Sequence, residues 1–149
     1  MIVRVKQKNS NALSTVYEKM KGVTGKEVAV GFPAGKANAY PDGTPVAGVA
    51  AAHVYGIGVP KRDFMRLAQD EINEKTAPII AKALQLEKKE PMYEAAGQAA
   101  QAAIQNAIVA LDDPPNAPAT IARKKSANPL IDTGHMKGAV TYVVRDRSR

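Results

Sequence analysis

A chain of 149 residues has the length of one domain and can bury roughly 70% of the surface it exposes unfolded. Apolar residues at 45% and charged residues at 23% are an ordinary globular balance; the lack of cysteine excludes disulfide scaffolds, thiolate zinc sites and cysteine nucleophiles. Net charge is +7, with basic segments at 1–62 and 114–149 flanking an acidic 63–113, a pattern that suits nucleic acid, an acidic partner or association of unlike faces.

Val3 and Val5 alternate with Arg4 and Lys6, which predicts a short half-buried strand rather than the apolar block of about 7–15 residues of a signal peptide. A soluble protein made in a cytoplasm is expected. Asn9-Ser10-Asn11 offers caps for a helix with Leu13, Val16, Tyr17 and Met20 on one face, ending near Gly22. Lys26 to Phe32 alternates Val28, Val30 and Phe32 and is the clearest strand. Residues 33–45 form a Pro- and Gly-rich loop, long enough to be functional or mobile. Val46 to Tyr55 predicts an Ala-rich helix stopped by Gly56, too short to cross a membrane of about 30 Å.

Residues 62–88 carry the helical stripe Phe64, Ala68, Ile72, Ile79, Ala83 and Leu86, in which Pro78 predicts a kink or two abutting helices. A second stripe runs through Tyr93, Gly97, Ala100, Ile104, Ile108 and Leu111, and its small residues predict close helix packing. Residues 112–129 predict a mostly extended, mobile surface segment with at most one helical turn after Thr120. Pro129 to Lys137 predicts a turn and a short helix capped by Asp132 or Thr133. Ala139 to Val144 predicts a last strand before a basic tail. The expected fold is α+β: one domain over 1–149, with an antiparallel sheet of three to four strands packed against long helices.

Several constellations touch on chemistry. Gly56-Ile57-Gly58 follows helical sequence and lacks the strand and third glycine of a nucleotide cradle. Asp132 and His135 could form an acid–base pair with Thr133 or Ser126 as nucleophile, but a capping Asp132 and an exposed His135 are the simpler reading. Glu71/Glu74 and Glu87/Glu90 could hold a divalent ion, although such pairs more commonly face solvent. Arg123-Lys124-Lys125 and Arg145, Arg147, Arg149 could contact phosphates, but no aromatic residues interleave them and no reading module carries them. No catalytic, cofactor or metal site is therefore expected.

Two segments are similar to a known family. Tyr55-Gly56, Pro60, Arg62 and Phe64, then Pro129, Leu130, Asp132, Thr133 and Gly134, resemble motifs of the tail-completion or virion-morphogenesis proteins of tailed bacteriophages, the neck and minor-tail group. The family shows Glu-Phe/Tyr-Gly, Pro-x-Arg-x-Phe and Pro-Leu-x-Asp-Thr-Gly in that order. Thr120-Ile-Ala-Arg123-Lys124-Lys125 resembles its upstream Thr-x-x-x-Lys stretch. Val54 stands where an acidic residue is common, and Asp63 where a second proline is common. The matched segments cover roughly residues 46–64 and 120–144.

The resemblance implies a virion structural protein of the head–tail junction or tail end, assembled in the bacterial host cytoplasm. It would act without chemistry, as a homo-oligomeric ring, hexameric or dodecameric, docking on connector or tail-tube proteins. Unlike charged surfaces on one small domain suit head-to-tail contacts in such a ring. Arg62 is expected to point its fork at a partner carboxylate or carbonyl, and Phe64 to anchor the first turn of the long helix. The rival expectation is a non-specific DNA-binding module using the basic terminal segments.

Overall fold

The computed structural model describes residues 10–21, 25–32, 39–86 and 89–147. In chain order these form α1 (Ser10–Lys21), β1 (Lys26–Gly31), α2 (Val46–Tyr55), α3 (Phe64–Leu67), α4 (Gln69–Ala83), α5 (Glu90–Ala110), α6 (Pro118–Lys124), α7 (His135–Gly138) and β2 (Thr141–Asp146). The architecture is mixed α+β. Among the described residues no helix is long and apolar enough to cross a membrane.

The sheet is smaller than the sequence predicts. β1 and β2 form an antiparallel pair, with Val28 opposite Val144 and Val30 opposite Tyr142, and among the described residues no third strand joins them. The strand expected at Val3–Lys6 lies outside the described residues. Residues 33–38 of the predicted loop also lie outside the described residues; its described part, 39–45, holds an isolated bridge between Ala39 and Pro45, where proline removes the donor that a ladder needs. β2 also starts later than expected. Ala139 closes α7 and Val140 is buried in the core, so both are used before the strand begins.

Helix α5 is the central element, packed against α3, α4 and both strands. Its predicted stripe is the buried one: Tyr93, Gly97, Ala100, Ile104 and Ile108 face inward, and Leu111 follows them. Ala103 and Ala107 widen the buried face, and their small size lets neighbours approach. The main core joins Ile104, Ile108 and Leu111 to Val46 and Ala50 of α2, Phe64 of α3, and Leu130, Met136 and Val140. Phe64 is fully buried and meets Phe32 edge to face at 6.4 Å between centroids. A second cluster places Ala83, Met92 and Tyr93 against Val28, Ile79 and Val144.

The long stripe of residues 62–88 divides elsewhere than expected. The junction falls at Ala68 between α3 and α4, and α4 runs through Pro78 before ending at Ala83. Asp63 Oδ1 accepts from Arg66 N at 3.1 Å, so a capped single turn precedes the main helix. Leu86, expected to continue the stripe, is exposed, as are Tyr17 and Met20 of α1. Residues 112–129 also depart from the extended expectation, because α6 occupies seven of them, starting with proline in its first turn.

Candidate functional site

The segments that carry the sequence resemblance lie far apart in the chain and meet at one groove. Its geometry begins at the end of α2. Gly56 closes that helix at φ 74°, its N–H on Ala52 O, and a Cβ there would stand 3.1 Å from Lys61 Cβ. The position suits glycine for both its positive φ and the crowding. The chain then folds back, so that Arg62 N donates to His53 O at 2.7 Å.

That return places Arg62 inside the protein. Only 4% exposed, it is the one charged residue that is buried among the described residues. Its Nε donates to Pro114 O at 2.9 Å, and its Nη2 donates to Pro115 O at 3.2 Å and Asn116 Oδ1 at 3.3 Å. The guanidinium fork thus grips the turn after α5 within its own chain, with backbone carbonyls among its acceptors. Burial pulls its pKa below the usual arginine value.

Asn128 completes the clamp. Its Nδ2 donates to Val109 O at 2.9 Å, with longer contacts to Ile108 O and Leu111 O, so it occupies carbonyls at the end of α5. Its Oδ1 accepts from Leu130 N and Ile131 N, both at 2.9 Å. Asn116 Nδ2 donates to Asn128 O at 3.4 Å, linking the two turns. Sequence reasoning passed over both asparagines. The Asn-Pro pair at 128–129 carried the available signal, since an asparagine side chain commonly binds backbone two residues on.

The remaining motif residues distribute around this frame. Pro129 and Leu130 are buried, whereas Tyr55, Pro60, Asp132 and Thr133 are exposed and Gly134 is half-buried. Lys124 is half-buried, its Nζ donating to Pro129 O at 3.4 Å, while Arg123 and Lys125 are exposed. Tyr40, His53, Arg62, Arg123, Lys124 and Asp132 all line a groove of about 480 Å³.

Electrostatics in the groove combine burial with three cations and the carboxylate of Asp132. Burial lowers the His53 pKa, and Arg62 and Lys124 lower it further. Burial also lowers the Lys124 pKa, with Arg62 and Arg123 adding to the effect and Asp132 opposing it. Burial raises the Tyr40 pKa, helped by Asp132 and Asp42. Among the described residues no carboxylate lies within 4.0 Å of the cationic atoms of Arg62, Arg123 or Lys124.

His135 is half-buried, not exposed as expected: its ring packs against Tyr40 at 4.9 Å between centroids, and its Nε2 is buried without a partner. Asp132 does not cap α7. Thr133 Oγ1 accepts from His135 N at 3.4 Å, and the helix starts after Gly134, a residue without a capping side chain. Glu71 accepts from Asn106 Nδ2 at 2.9 Å, and Glu74 is exposed with Lys75 Nζ at 3.7 Å. Glu87 and Arg149 lie outside the described residues. Arg145 pairs with Glu27 across the sheet at 2.6 Å.

A second groove, about 330 Å³, opens between β1 and α4 over α5, lined by Val28, Val30, Ile72, Ile80, Met92 and Tyr93. It offers apolar contact and little polar recognition. No family model matches the chain, and neither a curated protein nor a solved structure does.

Proposed function

We propose that this chain is a virion structural protein of the head–tail junction or tail end of a tailed bacteriophage, acting in tail completion or head–tail joining through a homo-oligomeric ring. One observation supports this reading best. Pro60 and Arg62 of one segment that resembles that family, and Pro129, Leu130 and Asp132 of the other, line a single groove although the whole of α4 and α5 separates them in sequence. Arg62 and Asn128 hold the intervening turns in place, as a docking surface requires if it is to be presented without an ordering cost. In this reading the groove and its rim contact neighbouring subunits and connector or tail-tube proteins.

The experiment is direct. Light scattering of the purified protein should give a closed oligomer, and cryo-EM of intact virions should place that ring at the neck or tail end. A monomer that is missing from purified particles would end this reading. The alternative, a non-specific DNA-binding module, draws on the exposure of Arg123 and Lys125 beside the groove. It predicts duplex retention that falls steeply with salt.

A further inference from the structure

Arg62 is deeply buried, and its named hydrogen bonds all go to neutral oxygens: two proline carbonyls and one asparagine side chain. Those bonds replace water but do not neutralise its charge. Lys124 is held by a neutral carbonyl too, and Arg123 lies in the same groove. Three cations and one carboxylate, Asp132, thus share one concave, partly desolvated surface whose balance is cationic, and a charge there interacts more strongly than in bulk water. The shape and the field both call for an anionic group.

The chain carries a suitable donor of such groups. Residues 63–113 hold nine acidic and five basic residues, the reverse of the balance on either side. Asp70 and Glu74 are exposed on α4 at i and i+4, which places them as neighbours on one helix face. Among the described residues Glu74 is tied only to the adjacent Lys75, at 3.7 Å between two largely exposed side chains. Glu71, by contrast, is engaged by Asn106.

We infer that the Arg62–Arg123–Lys124 groove is the receiving half of a self-association contact, and that the Asp70 and Glu74 carboxylates of a second copy occupy it. This rests on the ring reading and names the contact that would build the ring. Arg123 and Lys124 meet the incoming carboxylates, while the buried Arg62 supplies a fixed positive field behind them. Burial first, and the neighbouring cations after it, lower the pKa values of His53 and Lys124, with Asp132 opposing the shift at Lys124. An anion bound there moves both upward.

A charge swap followed by sedimentation tests this in the full chain. Arg123→Glu with Lys124→Glu, and separately Asp70→Lys with Glu74→Lys, should each weaken self-association about tenfold or more, from the loss of two pairs and the new repulsion. Combining all four substitutions should restore much of the loss. Circular dichroism and a melting curve identify any variant that misfolds; for such a variant, Arg123→Gln with Lys124→Gln and Asp70→Asn with Glu74→Gln replace the reversals, and their losses should be less than additive when combined.

Either double variant associating like the wild type overturns the proposal, as does strictly additive loss in the combined variant. Loss of duplex-DNA retention in the groove variant with self-association intact also overturns it, and makes nucleic acid the occupant. A wild type that stays monomeric at every concentration is a different failure, because it removes the ring reading itself.

Discussion

Tyr142 of β2 lies so close to Gly97 of α5 that a Cβ at position 97 would stand 2.3 Å from Tyr142 Cδ2 and 2.6 Å from its Cγ. The Tyr142 hydroxyl also donates to Glu94 Oε2, one helical turn earlier, at 2.7 Å. The helix accepts the interior glycine because the sheet needs the space. In an open helix Gly→Ala gains about 1 kcal/mol. Here Gly97→Ala should instead cost about 1–3 kcal/mol through overpacking. A urea titration gives the sign. In a Tyr142→Ala background the same substitution should become neutral or stabilising.

Arg62→Lys keeps the charge and loses the fork. Lysine presents a point charge and cannot reproduce the set of contacts to Pro114 O, Pro115 O and Asn116 Oδ1. A loss of about 1–3 kcal/mol is expected. Amide exchange in residues 112–117 should accelerate with it. If that exchange stays at its wild-type rate, the clamp is not what holds the turn.

Phe64 is fully buried at the meeting of α2, α3 and α5. Phe64→Ala should cost about 3–5 kcal/mol, since a large cavity opens among residues that cannot all collapse into it. The denaturation midpoint of the isolated protein is the measurement. An unchanged midpoint would contradict its place in the core.

Asn128→Asp is nearly isosteric, and it turns a donor into a second acceptor facing the carbonyls of Ile108, Val109 and Leu111. The accepting bonds from Leu130 N and Ile131 N can persist. A penalty of about 1–3 kcal/mol is expected near neutral pH. It should shrink in acid, where the protonated carboxyl can donate again. Melting curves of the variant at two pH values check both statements.

His53 gives the native protein a pH dependence whose sign is determined. Its folded pKa lies below the ordinary 6.5, because burial, Arg62 and Lys124 all disfavour its charged form. The unfolded chain therefore takes up a proton at higher pH than the native protein does. The contribution is whole above 6.5 and declines as pH falls from there through the folded pKa. His53→Gln should flatten the melting temperature between about pH 7 and pH 5. An equally steep profile in the variant would assign the dependence to other groups.

The elements set by local pattern were legible in the sequence. Alternation marked β1, Gly56 marked the end of α2, and the spacing of Tyr93, Gly97, Ala100, Ile104 and Ile108 marked the inward face of α5. Each of these depends on neighbours within a turn or two, and a period of two or of 3.6 is written into the residue order. The proximity of the site segments had no signal in the residue order.

Tertiary structure alone decided the rest. Arg62 finds its acceptors 52 to 54 positions away, and Asn128 binds carbonyls 17 to 20 positions back. Nothing in the local sequence names such partners, because any fork-shaped donor or amide can satisfy any carbonyl that packing brings within reach. Packing likewise placed the helix junction at Ala68 rather than Pro78 and gave Val140 to the core instead of β2. The sequence determined which faces are apolar; burial of those faces against one another determined which polar groups must then find each other.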